Sequence, residues 1–439
     1  MPMSNTDRLR RTEVVPLGNP TLRQISTVLA TVVLAIVLIS FRPFQPEGPA
    51  AAQGGDIVNQ IGFGSLALLA LFSLLTLADR RVVAMMVSPW WLIVFGFLAL
   101  SVMHAIDPPS AMRAALFTAI GVLAIVTVLV LPRDAESFTT VLLVAGLAAV
   151  LLSYAGLILF PATAVHSGAG VEPQHAGLWR GAFSHKNVAG PVMACLSFAG
   201  LYAFRRGRRW AGGTLLVLAM IFMANTGSKT TAGLVPLSIV LVALPGIFGM
   251  RFLTPVIFIT MMIGAALATL GIVFIEPLKD LAQQVAPDLT YTGRTALWDF
   301  LGEMIAKKPW FGYGYESFWS TPFIYFMEQP FDRDWDIRGS VHGHNGYLDI
   351  AVLMGLPALA ACLVAFWIVP VRDYMRTPRL MENIYLSDFF MMILMFTSLN
   401  AFLESFFLRR VDPVWLFFLM GCLGMRMAAR IRIPTARSG

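Results

Sequence analysis

The chain has 439 residues, of which 57% are hydrophobic and only 13% charged, with a formal charge of +7. So apolar a composition excludes an ordinary soluble domain and points to a polytopic membrane protein. The positive balance is read by its position along the chain and is not a nucleic-acid signal.

A spanning helix needs roughly 20 apolar residues. In chain order such runs lie near 22–41, 57–78, 88–106, 113–131, 137–160, 187–204, 211–226, 231–249, 252–275, 346–370, 386–403 and 412–428. This predicts an all-α integral membrane protein with about 12 transmembrane helices. A tail over 1–21 precedes helices 1–9 within 22–275. One long polar loop covers 276–345, helices 10–12 follow within 346–428, and a basic tail covers 429–439. Pro191, Pro236, Pro255 and Pro357 fall inside these runs, where membrane helices tolerate them better than soluble ones do. Ala50-Ala51-Ala52 after the first run resembles a signal-peptidase site, but that run is longer than a signal-peptide core and reads as an uncleaved helix.

With a cytoplasmic N-terminus, 19 of the 32 Lys and Arg fall on the cytoplasmic side. Six of the others lie in the long loop, which carries little orientational weight, so the useful comparison is 19 against 7. Both termini are therefore assigned to the cytoplasm. Cys195, Cys362 and Cys422 all lie in apolar runs and read as small buried hydrophobes, not as disulfide partners or metal ligands. There is no zinc spacing, Walker loop or dinucleotide fingerprint, and the expectation is a protein with no metal and no cofactor.

On this topology the chemically rich segments all face the extracytoplasmic side. Trp179-Arg180-Gly181-Ala182-Phe183-Ser184-His185-Lys186-Asn187 joins runs 5 and 6, and Asn225-Thr226-Gly227-Ser228-Lys229-Thr230-Thr231 joins runs 7 and 8. The long loop carries Tyr291-Thr292-Gly293-Arg294-Thr295 and ends at His342-Gly343-His344-Asn345; Glu404, Arg409 and Arg410 lie between runs 11 and 12. Each cluster also has a plainer account. Arg180 and Lys186 can meet lipid headgroups, Ser228, Thr230 and Thr231 can cap a helix, and Arg294 can be a solvated charge. Asp332, Asp334 and Asp336 read as a solvated loop face, because the further ligands of a calcium loop are missing. Trp310, Phe311, Tyr313, Tyr315, Phe318 and Trp319 suit an interfacial anchor, or stacking on sugar rings. Convergence on one face favours a site. Arg180, Lys186, Lys229 and Arg294, near helix starts at about 187 and 230, suit an anionic ligand, and beside a bilayer a lipid-linked diphosphate. His344 or His342 then offers a general base.

Arg180-Gly181-Ala182-Phe183 with His185-Lys186-Asn187, Gly227-Ser228-Lys229-Thr230, Gly293-Arg294, Trp310-Phe311-Gly312-Tyr313-Gly314 and His342-Gly343-His344-Asn345-Gly346-Tyr347-Leu348 resemble, in order and loop position, the O-antigen ligase and polymerase superfamily of Wzy_C type. The subgroup resembled is that of ExoQ-like exopolysaccharide polymerases. The resemblance implies a glycosyltransferase of the GT-C type in the bacterial inner membrane, active at the periplasmic face without metal or nucleotide sugar. It also implies donor and acceptor oligosaccharides carried on undecaprenyl diphosphate, with a flippase and a chain-length regulator of the same pathway as possible partners. Carried onto this sequence, it makes Arg180 and Arg294 the diphosphate ligands, helped by Lys186 and Lys229. It makes His344, or its neighbour His342, the essential histidine, with Asn345, Asn187 and Ser228 in support.

The first expectation is a polymerase of lipid-linked repeat units. A ligase passing a finished glycan to lipid A-core, or a protein-directed oligosaccharide transferase, differs only in acceptor. A transporter or flippase is the alternative from another class. It fits less well, because transporters place polar groups near the bilayer midplane and here polarity gathers at one face.

Overall fold

The computed structural model describes residues 12–13, 19–46, 56–168, 173–285, 291, 293–328 and 337–433. Asp332, Asp334, Asp336 and the Ala50–Ala52 segment lie outside them. In chain order the helices are α1 Pro20–Ile39, α2 Ile57–Leu77, α3 Arg80–Met86, α4 Pro89–Met103, α5 Pro108–Val130, α6 Ala135–Leu159 and the single turn α7 Pro161–Ala164. They continue with α8 Lys186–Arg205, α9 Arg209–Asn225, α10 Lys229–Ile247 and α11 Leu253–Phe274, then α12 Glu276–Val285, α13 Arg294–Lys307 and the turn α14 Pro322–Tyr325. The last four are α15 Gly346–Met354, α16 Leu356–Arg376, α17 Met381–Asn400 and α18 Pro413–Arg430. A two-residue parallel pair, Thr12–Glu13 with Ile431–Arg432, ties the two ends of the chain together.

Among the described residues eight helices are long and apolar enough to cross a membrane, and a ninth span is formed if α3 and α4, bent by 68°, are taken together. Proline at the first helical position of α4, directly after Ser88, starts the second half of that pair. The remaining predicted runs are occupied by α9, α17 and α18. The last two form the centre: α17 is buried without a break from Leu386 to Asn400, as expected of a helix that is apolar all round. The lipid-facing work falls to helices such as α2, whose Leu68, Phe72 and Leu75 stay exposed.

One end of the bundle is held by ion pairs. Arg206, buried, donates to both oxygens of Glu382 at 2.7 and 2.8 Å and to Glu136 at 3.2 Å. Asp388 accepts from Arg205 at 3.0 Å and Arg251 at 2.8 Å, and Arg23 donates to Asp134 at 2.8 Å. Each carboxylate is thus paired where solvation is poor. The clamp joins α1, α6, α8, α11 and α17 at the end opposite the histidines.

The long loop folds into a small cap with its own apolar core, in which Leu297, Trp298, Leu301 and Met304 of α13 meet Phe318, Ile324 and Val352. The predicted tenth run is broken at Gly355, which separates α15 from α16 at φ 89°. A side chain there would lie 2.2 Å from the Trp310 carbonyl. The Trp310–Gly314 segment passes through this gap: Tyr313 N–H donates to the Val352 carbonyl at 2.8 Å and Leu356 N–H to that of Pro309 at 2.8 Å. The aromatic motif therefore fastens the cap to the break. Tyr313, Tyr315 and Phe318 are core residues, while Trp310 and Phe311 remain exposed.

Candidate active site

His344, Glu404 and Arg294 come together from three separate places. Arg294 opens α13 after Gly293, whose φ of 82° turns the chain into the helix. His344 has φ 48°, a left-handed backbone that is uncommon for this residue. It is held on both sides. The carboxylate of Asp349 accepts from Gly343 N–H at 3.1 Å and from Trp319 Nε1 at 2.7 Å, and Trp298 Nε1 donates to the Gly343 carbonyl at 3.0 Å. On the other side Asn345, fully buried, caps α15 through Tyr347 and Leu348 N–H at 3.1 Å and donates to the Phe402 carbonyl at 3.0 Å. Glu404 lies just past the turn that ends α17, its N–H donating to the Asn400 carbonyl at 2.9 Å. The tetrad of Gly343, His344, Asn345 and Glu404 is thus pinned to rigid elements.

The Glu404 carboxylate is the hub. Its Oε1 accepts from Arg294 Nη2 at 3.0 Å and from Asn187 Nδ2 at 3.2 Å, and its Oε2 lies 3.4 Å from His344 Nδ1. Burial alone would raise this carboxyl, but the His344 hydrogen bond and the Arg294 and His185 charges together hold it below its usual range. With Glu404 accepting from Nδ1–H, the basic nitrogen of His344 is Nε2. His342 packs edge-on at 4.1 Å between ring centroids, and its Nδ1 accepts from His344 N–H at 3.2 Å. Burial, and then the neighbouring charges of His344, Arg409, Arg294 and His185, push its pKa well below the ordinary imidazole value. His342 is therefore a neutral ring that props His344.

Glu404, His344, His342 and Asn187 line a cavity of about 760 Å³ between the start of α8, the 339–344 segment and residues 404–412, while Arg294, bonded to Glu404, is not part of that lining. A cavity of 210 Å³ adjoins it through Glu316, His342 and Arg409 and reaches Trp319 and Asp349. A third, of 490 Å³, adjoins through Ser184, Val188, Arg410 and Val411 and runs between α1, α2 and α5. Arg409 lines the central cavity and makes no ion pair among the described residues, donating only to the Ser405 carbonyl at 3.1 Å.

Of the residues marked in the sequence, His344, His342, Arg294 and Asn187 are brought together. Arg180 is placed elsewhere: it is 1% exposed and donates to the Ser184 and Gln45 carbonyls at 2.9 Å, in the wall beside the 490 Å³ cavity. Lys186 opens α8 and its N–H donates to His166 Nε2 at 3.1 Å. Lys229 is exposed at the start of α10 and lines none of the three cavities. Ser228 caps that helix at Thr231 N–H, 3.4 Å. Glu404 and Arg409 were visible in the sequence as polar residues just past an apolar run, but nothing local marked them as partners of His344.

His342, His344 and Glu404 offer donor atoms within 4.8 Å of one another, a spacing that suits a metal ion. Arg294 already donates to Glu404 at 3.0 Å, so a divalent cation bound there would compete with that guanidinium for the carboxylate.

Two similarities to known proteins bear on this geometry. The O-antigen ligase family, Wzy_C, matches residues 187–363, which takes in Asn187, Arg294, His342 and His344 but stops short of Glu404. The exopolysaccharide production protein ExoQ of Rhizobium meliloti (strain 1021) is 26% identical over 361 residues, which cover 74% of this chain and 76% of that protein. Motif order, helical architecture and both similarities agree, and the chain is an all-α, multi-pass membrane protein whose residues 187–363 match the O-antigen ligase (Wzy_C) family and which resembles ExoQ.

Proposed function

We propose that this protein is a metal-independent membrane glycosyltransferase that polymerises oligosaccharide repeat units linked to polyprenyl diphosphate. The observation that carries the reading is the Arg294–Glu404–His344 constellation, whose Glu404 and His344 line a cavity at one end of an apolar bundle together with Arg409. A sugar hydroxyl of the acceptor gives its proton to His344 Nε2 as its oxygen attacks the anomeric carbon of the donor. The bond from that carbon to the diphosphate oxygen breaks, and the lipid diphosphate leaves. Glu404 stabilises the imidazolium formed, and Arg294 and Arg409 stabilise the charge on the leaving group. Such stabilisation is commonly the largest catalytic contribution. A diphosphate is already a good leaving group and needs no general acid, in contrast to a glycosidase with its paired carboxyls.

The excess of Lys and Arg in the loops at the clamp end supports placing that end in the cytoplasm and the histidines at the periplasmic face of the inner membrane. Undecaprenyl is the carrier expected there. The Wzy_C description favours a second reading, ligation of a finished glycan to lipid A-core.

The test is reconstitution of purified protein with a lipid-linked repeat unit as sole substrate. A gel ladder at multiples of the repeat, abolished in His344→Ala with membrane insertion intact, is the expected result. Transfer that occurs only after addition of lipid A-core would replace polymerase by ligase. A ladder from His344→Ala equal to wild type would remove the proposed base.

A further inference from the structure

The 490 Å³ cavity is lined by none of His342, His344 or Glu404, yet it is built for an amphiphile of the same chemistry. Val37 and Leu38 of α1, Phe63 of α2 and Phe117 of α5 form an apolar wall. Arg42, Arg113 and Arg410 stand around it against one lining carboxylate, Asp56, which leaves a net charge of two positives. Arg113 is exposed and makes no ion pair among the described residues. Arg42 pairs with Asp56 at 3.2 Å and Arg410 with Glu316 at 3.4 Å, but both arginines are more than half exposed, so these pairs hold weakly and exchange readily for a phosphate. Beyond the wall α2 turns Ile61, Leu68 and Phe72 outward, so a hydrocarbon chain leaving the cavity meets lipid.

We propose that this cavity is a second lipid-diphosphate site, seating the headgroup and leading isoprenoid units of the acceptor, while the diphosphate of the donor sits at Arg294 and Arg409. The inference rests on the glycosyltransferase reading above and adds the location of the second substrate. The assignment follows from bonding. The donor's diphosphate is attached to the carbon under attack, so it must lie against His344. The acceptor's diphosphate is separated from its attacking hydroxyl by the repeat unit, so it belongs in a cavity that adjoins the centre without containing it. The shared wall at Ser184, Val188 and Arg410 lets the acceptor sugar pass from one cavity to the other. A second diphosphate site is what a polymerase needs, because both of its substrates carry that group.

The experiment counts sugar-free undecaprenyl diphosphate on the full-length protein by native mass spectrometry, with phosphatidylglycerol and free pyrophosphate as competitors. Wild type should bind two molecules and Arg113→Glu one, the second molecule weakening by about tenfold or more as a charge-assisted contact is lost. Bound lipid should also protect Ser110→Cys from a bulky thiol reagent, a readout that the native cysteines leave clear because all three are buried. A wild-type stoichiometry of one, two molecules retained by Arg113→Glu, or displacement by phosphatidylglycerol at equal concentration would overturn the second site. If any of these occurs while wild type still makes the polymer ladder, the glycosyltransferase reading stands without it. If two molecules bind but no repeat unit is transferred, the acceptor role falls with that reading.

Discussion

Replacing Glu404 by Gln keeps the size of the side chain and a carbonyl for Arg294 and Asn187, and removes only the charge. Two unit charges 3.4 Å apart, the separation of Glu404 Oε2 and His344 Nδ1, interact by about 5 kcal/mol at an effective dielectric of about 20. Arg294, 3.0 Å from the same carboxylate, offsets part of its field at the imidazolium. If roughly half survives, the transition state loses about 2–3 kcal/mol, or about 30- to 150-fold in kcat. The assay is the initial rate of ladder formation in proteoliposomes, with undecaprenyl diphosphate binding measured in parallel. The rate should fall by that factor and binding should stay within about threefold, since the lost interaction is one made in the transition state. Glu404→Asp, which keeps the charge on a shorter stem, should recover part of the loss. A Glu404→Gln enzyme within about threefold of wild type would show that the carboxylate does not act through His344, and the dyad would have to be abandoned.

Arg294→Lys should be nearly as damaging as Arg294→Ala, because Nη2 of the guanidinium is held by Glu404 while its other nitrogens remain for the diphosphate; full activity in the Lys variant would refute this divided contact. Chelators should leave the rate unchanged, and a reversible loss restored by a divalent ion would mean that His342, His344 and Glu404 hold a metal after all. The lowered pKa of His342 makes stability pH-dependent. The unfolded imidazole titrates near about 6.5 and binds more protons than the folded one below that pH, so the contribution is present at pH 7.5 and lost on acidification. The thermal midpoint in detergent should fall between pH 7.5 and 5.5 with a slope that His342→Gln flattens; an unchanged slope would assign the acid sensitivity to other groups.

Apolar runs of about 20 residues can only be buried in lipid or protein, so the helices and their order were legible directly from the chain. The same holds for the grouping of polar motifs: an even number of spans returns the chain to the same face, which placed His344, Arg294, Asn187 and Glu404 at one end before any contact was known. Local chemistry also foretold the cap at Ser228. The break at Gly355 was not legible, because its cause is the Trp310 carbonyl pressing from a remote segment. Nor was the separation of Arg180, whose guanidinium is taken up by the Ser184 and Gln45 carbonyls, from Arg294. The pairing of Glu404 with His344 joins residues 60 positions apart, and no local period encodes it. Sequence fixes which segments must leave water, since hydrophobic burial depends only on what the side chains are. Which charged groups meet depends on how the helices pack, because an ion pair is set by distances of a few ångströms that only the tertiary fold defines.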